Sequence, residues 1–477
     1  MQQNPKLARI GYWLAQQQKL IRYIQWVIIL VYALLLVVPV FVSLPDESAT
    51  LFNHLAVFAG FIFWGIWWPF VLLSMLFFGR LWCGVLCPEG ALSELANQHG
   101  FKKSIPRWIR WNGWPFVAFG LTTIYGQMIS VYQYSKPTLL ILGGSTVVAI
   151  VIGFVYGKSG RVWCKYLCPV TGVFNLLARL APGWYQPMQK PWGEDQIRQI
   201  NNVRCPTLLP LPKMSGAANC LMCGKCGVAK NAIQFTSRSP NKEIIVNGSR
   251  KNNAFDSLLI IFGLCGLALG AFQWSTSFWF MHYRDIIDSW FLVHQITTVF
   301  KTNAPWWLLT HYPERDDVFS WIYGMEVVSY ILLIGLFIGA ILTSLIGTAV
   351  RITGRFSLSQ FNHYTLSLVP LAGCSIFIGL LANTTSILQK YANIGFIWVS
   401  ELKYILLIGT AFWSTLLAYK IVKRYPASHL RQALSLSMMI VGFLVIIYFW
   451  FLILSIWSIK SDSIPWNTLW VPLFRRG

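Results

Sequence analysis

The sequence predicts an all-α polytopic membrane protein, about nine transmembrane helices with a small cytoplasmic α+β insertion, and three observations predict it. Hydrophobic residues make up 56% of the 477 and charged residues only 11%, a balance that belongs to an integral membrane protein. Apolar stretches of about 20 residues, the length a helix needs to cross a bilayer, recur along the chain. Basic residues concentrate between alternate stretches.

The spans are expected at 24–44, 55–78, 113–131, 138–156, 255–273, 319–346, 362–384, 402–419 and 433–457. With the amino terminus inside, the inner segments hold 29 of the 38 Lys and Arg. The positive-inside rule then makes the amino terminus cytoplasmic and the carboxyl terminus periplasmic. The net charge of +22 is thereby a topology signal and a source of contact with anionic lipid; no basic stripe calls for nucleic acid. The first run follows Lys6, Arg9, Lys19 and Arg22 but has no small-x-small cleavage site at Ser43-Leu44-Pro45-Asp46-Glu47, so it reads as a retained anchor. Before it, Trp13, Leu14, Leu20 and Ile21 are expected to face lipid from an amphipathic lead-in.

Three parts follow from this layout. Residues 1–183 form a four-helix membrane domain with a doubled cysteine motif, 184–254 a soluble segment, and 255–477 a five-helix membrane domain with an outer loop at 274–318. The doubled motif is Gly79-Arg80-Leu81-Trp82-Cys83-Gly84-Val85-Leu86-Cys87-Pro88, repeated as Gly160-Arg161-Val162-Trp163-Cys164-Lys165-Tyr166-Leu167-Cys168-Pro169 at an offset of 81. Each copy closes an apolar run, so four thiols are expected to meet at the inner membrane face. Each Pro suits the first position of a new helix. Arg80 and Arg161 put positive charge beside a cluster of sulfurs and would tune it electrostatically. Two unrelated cysteine pairs, or a redox disulfide, are the other readings of this motif.

The segment 184–254 is poor in apolar runs and needs a staple to fold. Cys205-Pro206 followed by Cys220-x-x-Cys223-x-x-Cys226 supplies one. In two-cluster bacterial ferredoxins the Cys before Pro serves the other cluster, so Cys205, Cys220, Cys223 and Cys226 make one complete set. The other set would need Cys at the positions of Asp195, Arg198, Asn201 and Lys230, and all four are missing together. An Ile244-Ile245-Val246 strand is expected to complete the ferredoxin-like insertion. A four-thiolate zinc site uses similar spacings.

Read together, the doubled Trp-Cys-x-x-x-Cys-Pro phrase and the ferredoxin-type cysteines resemble the membrane-bound polyferredoxin family, over about residues 55–250. That family includes the quinol-oxidising subunit of periplasmic nitrate reductase systems, the nitrous-oxide reductase maturation regulator and a cytochrome oxidase accessory protein. The resemblance implies 4Fe-4S binding in the bacterial inner membrane and electron transfer with quinol or a redox partner protein. The expected cofactors are one 4Fe-4S cluster at Cys205, Cys220, Cys223 and Cys226, and a second iron–sulfur cluster or copper at Cys83, Cys87, Cys164 and Cys168. The expected function is electron transfer between a cytoplasmic or quinol donor and a membrane or periplasmic acceptor, as a quinol dehydrogenase or metal reductase component. The alternative is reduction or handling of copper or iron, since soft thiolates suit Cu(I) as well.

Other candidates are less specific. His282, His294 and His311 stand among carboxylates in the outer loop without metal-ligand spacing, His54 and His363 lie at helix ends, and Glu326 is an intramembrane acid. Cys265 and Cys374 read as small packing residues. No Cys-x-x-Cys-His, Gly-x-Gly-x-x-Gly or Walker loop points to c-type haem or a nucleotide.

Overall fold

The computed structural model of the chain describes residues 5–157, 160–188, 193–201, 203–229, 232–248 and 253–463. In chain order its helices are α1 (Pro5–Gln16), α2 (Gln18–Phe41), α3 (Leu55–Phe78), α4 (Pro88–His99), α5 (Trp114–Met128), α6 (Ser135–Val155), α7 (Thr171–Ala178), α8 (Glu194–Asn201), α9 (Ala254–Thr276), α10 (Phe278–Val293), α11 (Trp321–Thr353), α12 (Leu358–Ala392), α13 (Trp398–Val422) and α14 (His429–Ser455). Among the described residues, α2, α3, α6, α9, α11, α12, α13 and α14 are long and apolar enough to cross a membrane.

The ninth expected crossing forms only the 15-residue α5, about 22 Å long against a hydrocarbon core of about 30 Å. It still joins the two ends of the bundle. Trp111, just before it, packs edge-on against Phe255 at the start of α9, while the Met128 carbonyl at its end accepts the Thr310 N–H at 2.9 Å in the loop beyond α10. Turns through Ile129 to Tyr132 complete the passage.

One buried cluster runs from Val71 and Met75 on α3 through Leu176 on α7 and Leu264 on α9 to Ile338, Leu371, Leu417 and Ile446 on α11 to α14. Glycine lets two of these helices touch: a Cβ at Gly266 of α9 would lie 2.8 Å from the Gly335 carbonyl oxygen of α11, the small-residue contact by which membrane helices approach.

The soluble segment carries a two-stranded antiparallel sheet, β1 (Gly183–Pro187) and β2 (Ile233–Ser237), with Tyr185 opposite Phe235. The expected strand at 244–246 is instead a helical turn, Glu243–Asn247. Its reason is Glu243, which is buried, pairs with Arg238 and accepts the Ala217 N–H at 2.8 Å; an extended strand would not aim that carboxylate into the loop before Cys220. The lead-in also differs from expectation in part. Trp13 and Leu20 are exposed and Ile21 is buried, but α1 lies on the soluble segment: Gly11 packs against Phe235, and Leu14 against Gly224.

Candidate functional site

Each copy of the doubled motif turns back into the bundle. The reversals need glycine: Gly79 has φ +61° and Gly157 φ +95°, the left-handed region that side chains disfavour. Trp82–Leu86 and Trp163–Leu167 then wind as wide helical turns, in which the Cys87 N–H reaches the Trp82 carbonyl at 2.9 Å and the Cys168 N–H the Trp163 carbonyl at 3.0 Å. Such i to i−5 turns are rare and frequent at functional sites. Pro88 opens α4 with Cys87 as its N-cap; Cys168 instead precedes a further turn, and α7 opens at Thr171.

The depth of this pair differs from the expected membrane face. Glu89, two residues after Cys87, accepts Ser145 Oγ at 2.6 Å, and Ser145 is the midpoint of α6. Trp82 packs edge-on against Trp67, 5.0 Å between ring centres, and Trp67 is at the middle of α3. Ten residues of chain separate Ser145 from the end of α6 at Val155, about 15 Å of rise. The Cys87-Pro88 corner therefore lies near the middle of the bundle, and α4 descends from there.

The two copies brace each other crosswise. Arg80 donates Nη2 to the Cys164 carbonyl at 3.2 Å, and Arg161 donates Nη1 to the Cys83 carbonyl at 2.6 Å and Nη2 to the Gly84 carbonyl at 3.3 Å. Both guanidinium groups are 2% exposed. Backbone that re-enters a bilayer is tolerated only where its polar groups are satisfied, and these fixed forks satisfy it. Arg80 also holds Asn175 and Thr171. Arg161 pairs with Glu94 at 2.7 Å, which in turn holds Lys225. Burial alone would raise the Glu94 carboxyl, but Arg161 and Lys225 outweigh it and hold it at about 2.

Because each first cysteine faces the other's arginine, the four thiols converge. Cys83 and Cys164 are 5% exposed, Cys168 lies in the field of Cys164, Cys87 and Cys83, and a Cβ at Gly90 would stand 3.4 Å from Cys164 Sγ. Gly90 is thus the space that lets α4 approach.

Cys205, Cys220, Cys223 and Cys226 line a second space, also walled by Tyr185, Leu209 and Met214. Burial pushes the Cys220 thiol up to about 12 and raises Cys223 and Cys226 as well. Left alone these are neutral thiols; a cationic core would deprotonate them on binding. Among the described residues no three His, Cys, Asp or Glu side chains come close enough to hold one metal ion. Four thiols around one space are a donor set that an iron–sulfur cluster takes. All ten cysteines are free of disulfides. Asp195, Arg198 and Asn201, at three of the missing ligand positions, lie on α8; Lys230 lies outside the described residues.

The quartets adjoin. Gly84, next to Cys83, lies so close to the Leu221 carbonyl and the Cys223 backbone that a Cβ there would overlap them. The Arg161 N–H donates to the Pro206 carbonyl at 2.6 Å, and Gln18 of α2 holds the Cys223 carbonyl at 3.1 Å. The second quartet sits at the bundle end beneath α1; the first sits deeper.

The remaining candidates do not join this site. His363 links the Tyr425 hydroxyl at 2.8 Å to the Ile244 carbonyl at 3.0 Å, a clasp between membrane helices and soluble segment. Cys265 and Cys374 are buried in the apolar core. His294 contacts its own helix through Trp290, and no metal-sized group includes His282 or His311. His54 is the residue before α3, at the opposite end. Glu89, Glu94 and Lys225 were not singled out by sequence; Glu94 one helical turn beyond Gly90 and Lys225 inside the Cys-x-x-Cys-x-x-Cys run were the available signals.

The profile of the 4Fe-4S binding domain family matches residues 61–106 and 139–187, the two copies of the doubled motif with their preceding spans. The chain is 27% identical to the regulatory protein NosR of Pseudomonas aeruginosa over 135 residues, 24% of this chain and 19% of that protein. It is 27% identical to protein NirI of Paracoccus denitrificans over 190 residues, 34% and 27% of the two chains. It is 25% identical to the putative electron transport protein YccM of Escherichia coli over 199 residues, 37% and 46%. The chain thus spans less than half the length of each of these relatives. No solved structure matches. Both copies of the doubled motif, with the spans before them, are thus similar to the 4Fe-4S binding domain.

Proposed function

We propose that the chain passes single electrons through a membrane between two 4Fe-4S clusters, one held by Cys83, Cys87, Cys164 and Cys168 and one by Cys205, Cys220, Cys223 and Cys226. A 4Fe-4S cluster accepts and releases one electron at a time, at a potential set by nearby charge and hydrogen bonds. The observation that carries this reading is the crosswise pairing of Arg80 with Cys164 and Arg161 with Cys83, with Gly84 pressed on the second quartet's loop. Residues 184–254 are the soluble part, set between membrane parts 1–183 and 255–477.

The basic loops favour a bacterial inner-membrane orientation with the second quartet facing the cytoplasm and the carboxyl terminus periplasmic. Quinol is the donor we favour. At the opposite end, Leu36, Ala59, Phe63, Trp64, Tyr132 and Thr138 line a small cleft, where the Trp64 indole N–H is buried without an acceptor. That unpaired indole N–H is a donor which a quinone oxygen would satisfy. From it, Phe63 meets Trp67 at 6.0 Å and Trp67 meets Trp82 at 5.0 Å, beside Cys83. The acceptor is then a redox partner protein at the second quartet or in the membrane.

Anaerobic purification with iron, sulfide and copper counts tests this. Two clusters' worth of iron and sulfide, reduced by a quinol analogue, supports it. Copper without sulfide would replace it by metal handling.

A further inference from the structure

The carboxyl half of the chain holds a buried acid that electron transfer does not use. Glu326 lies on α11 five residues past Trp321, and it is 1% exposed. Neither of its carboxylate oxygens has a hydrogen-bond partner.

The group within hydrogen-bonding reach is another carboxylate, Asp288 of α10. Its Oδ1 is likewise buried without a partner, while Oδ2 takes Arg284 Nε at 3.4 Å. Arg284 is also engaged by the Tyr323 ring, 5.5 Å from its centre. The charged groups that face Glu326 are Asp288, Arg284 and Asp285 on α10, and Tyr323 stands on its own helix. Three carboxylate oxygens therefore meet in an enclosed place with no donor among them. Two ionised carboxylates so placed repel each other, and each oxygen is left without a hydrogen bond. One proton between them removes the repulsion and joins two of the three oxygens in a hydrogen bond.

We propose that Glu326 and Asp288 share a single proton and form a proton-exchange site at the end of the bundle opposite the cysteines. The pair has an entrance and an interior. The Asp288 side chain is 26% exposed, whereas Glu326 is enclosed. One turn further along α11 the Tyr330 hydroxyl meets Ser277 Oγ at 2.9 Å and Gln273 Nε2 at 3.2 Å, a hydroxyl run that continues inward. An intramembrane carboxylate of this kind marks an ion or proton path. The site lies beyond the electron-transfer reading and stands without it.

Infrared spectra of the full chain in lipid nanodiscs at neutral pH test it, comparing wild type with E326Q. The wild-type-minus-variant spectrum should show the loss of one carboxylic-acid carbonyl band per chain, and that band should shift in deuterated water. The glutamine amide can donate to Asp288, so the thermal midpoint of E326Q should match the wild type. A difference spectrum showing only ionised-carboxylate bands, or an unchanged acid band, overturns the proposal. If E326Q does not fold, the wild-type protein decides alone: no deuterium-sensitive acid band at neutral pH overturns it.

Discussion

Arg161 shows how much one side chain does here. Its guanidinium satisfies two carbonyls of the opposite motif copy and one carboxylate. Replacing it by glutamine leaves Glu94 to Lys225 alone and two carbonyls of the opposite copy without their donor, a loss of about 1–3 kcal/mol. Arg161→Gln should therefore lower the thermal midpoint sharply and, where clusters persist, lower the potential of the first, because positive charge favours the reduced form. A potentiometric titration that finds it unchanged would refute the tuning role. Glu94 gives a pH signature. Its folded pKa of about 2 lies below the usual 4.5, so its contribution is full above about 4.5 and disappears as pH falls toward 2. Thermal melts should show Glu94→Gln less stable than wild type at neutral pH, with the gap closing across that acidic window. Neither interaction was legible in sequence beyond the presence of two arginines, because their partners are backbone carbonyls some 80 residues away in the chain.

At the scale of elements, the doubled phrase was legible as a ligand set because its spacing repeats, and the helix start at Pro88 because proline suits it. Its depth was not. Hydropathy sees α3 end at Phe78 and cannot see that Gly79 turns the chain back, a fact carried by one positive φ. The 244–246 strand failed similarly: three apolar residues suit a strand or a buried turn, and Glu243, by pairing with Arg238, selects the turn. Gly84 is a close contact between the quartets. Gly84→Val places a branched side chain where the Leu221 carbonyl lies and should slow electron exchange between the clusters, read by freeze-quench after rapid reduction, while each cluster keeps its own spectrum. Equal exchange rates would show that the contact is not the junction.

For the whole molecule, composition and basic asymmetry were enough to predict a polytopic helical bundle, and eight of the nine expected crossings have full length. The short α5 was masked because Trp114 to Val131 stays apolar after its helix ends. The three-part division did not reveal the common core, in which α3 and α7 pack with helices from the carboxyl half; such long-range packing leaves no periodic trace. Replacing Cys220 by Ser should abolish one iron–sulfur signal and leave the other if the quartets assemble independently. The most direct test of the account is paramagnetic resonance of the fully reduced, anaerobically purified chain. Two adjoining quartets predict two cluster signals broadened by mutual spin coupling, and a single uncoupled signal in Cys220→Ser. One cluster in the wild type, or two with no coupling, would contradict it.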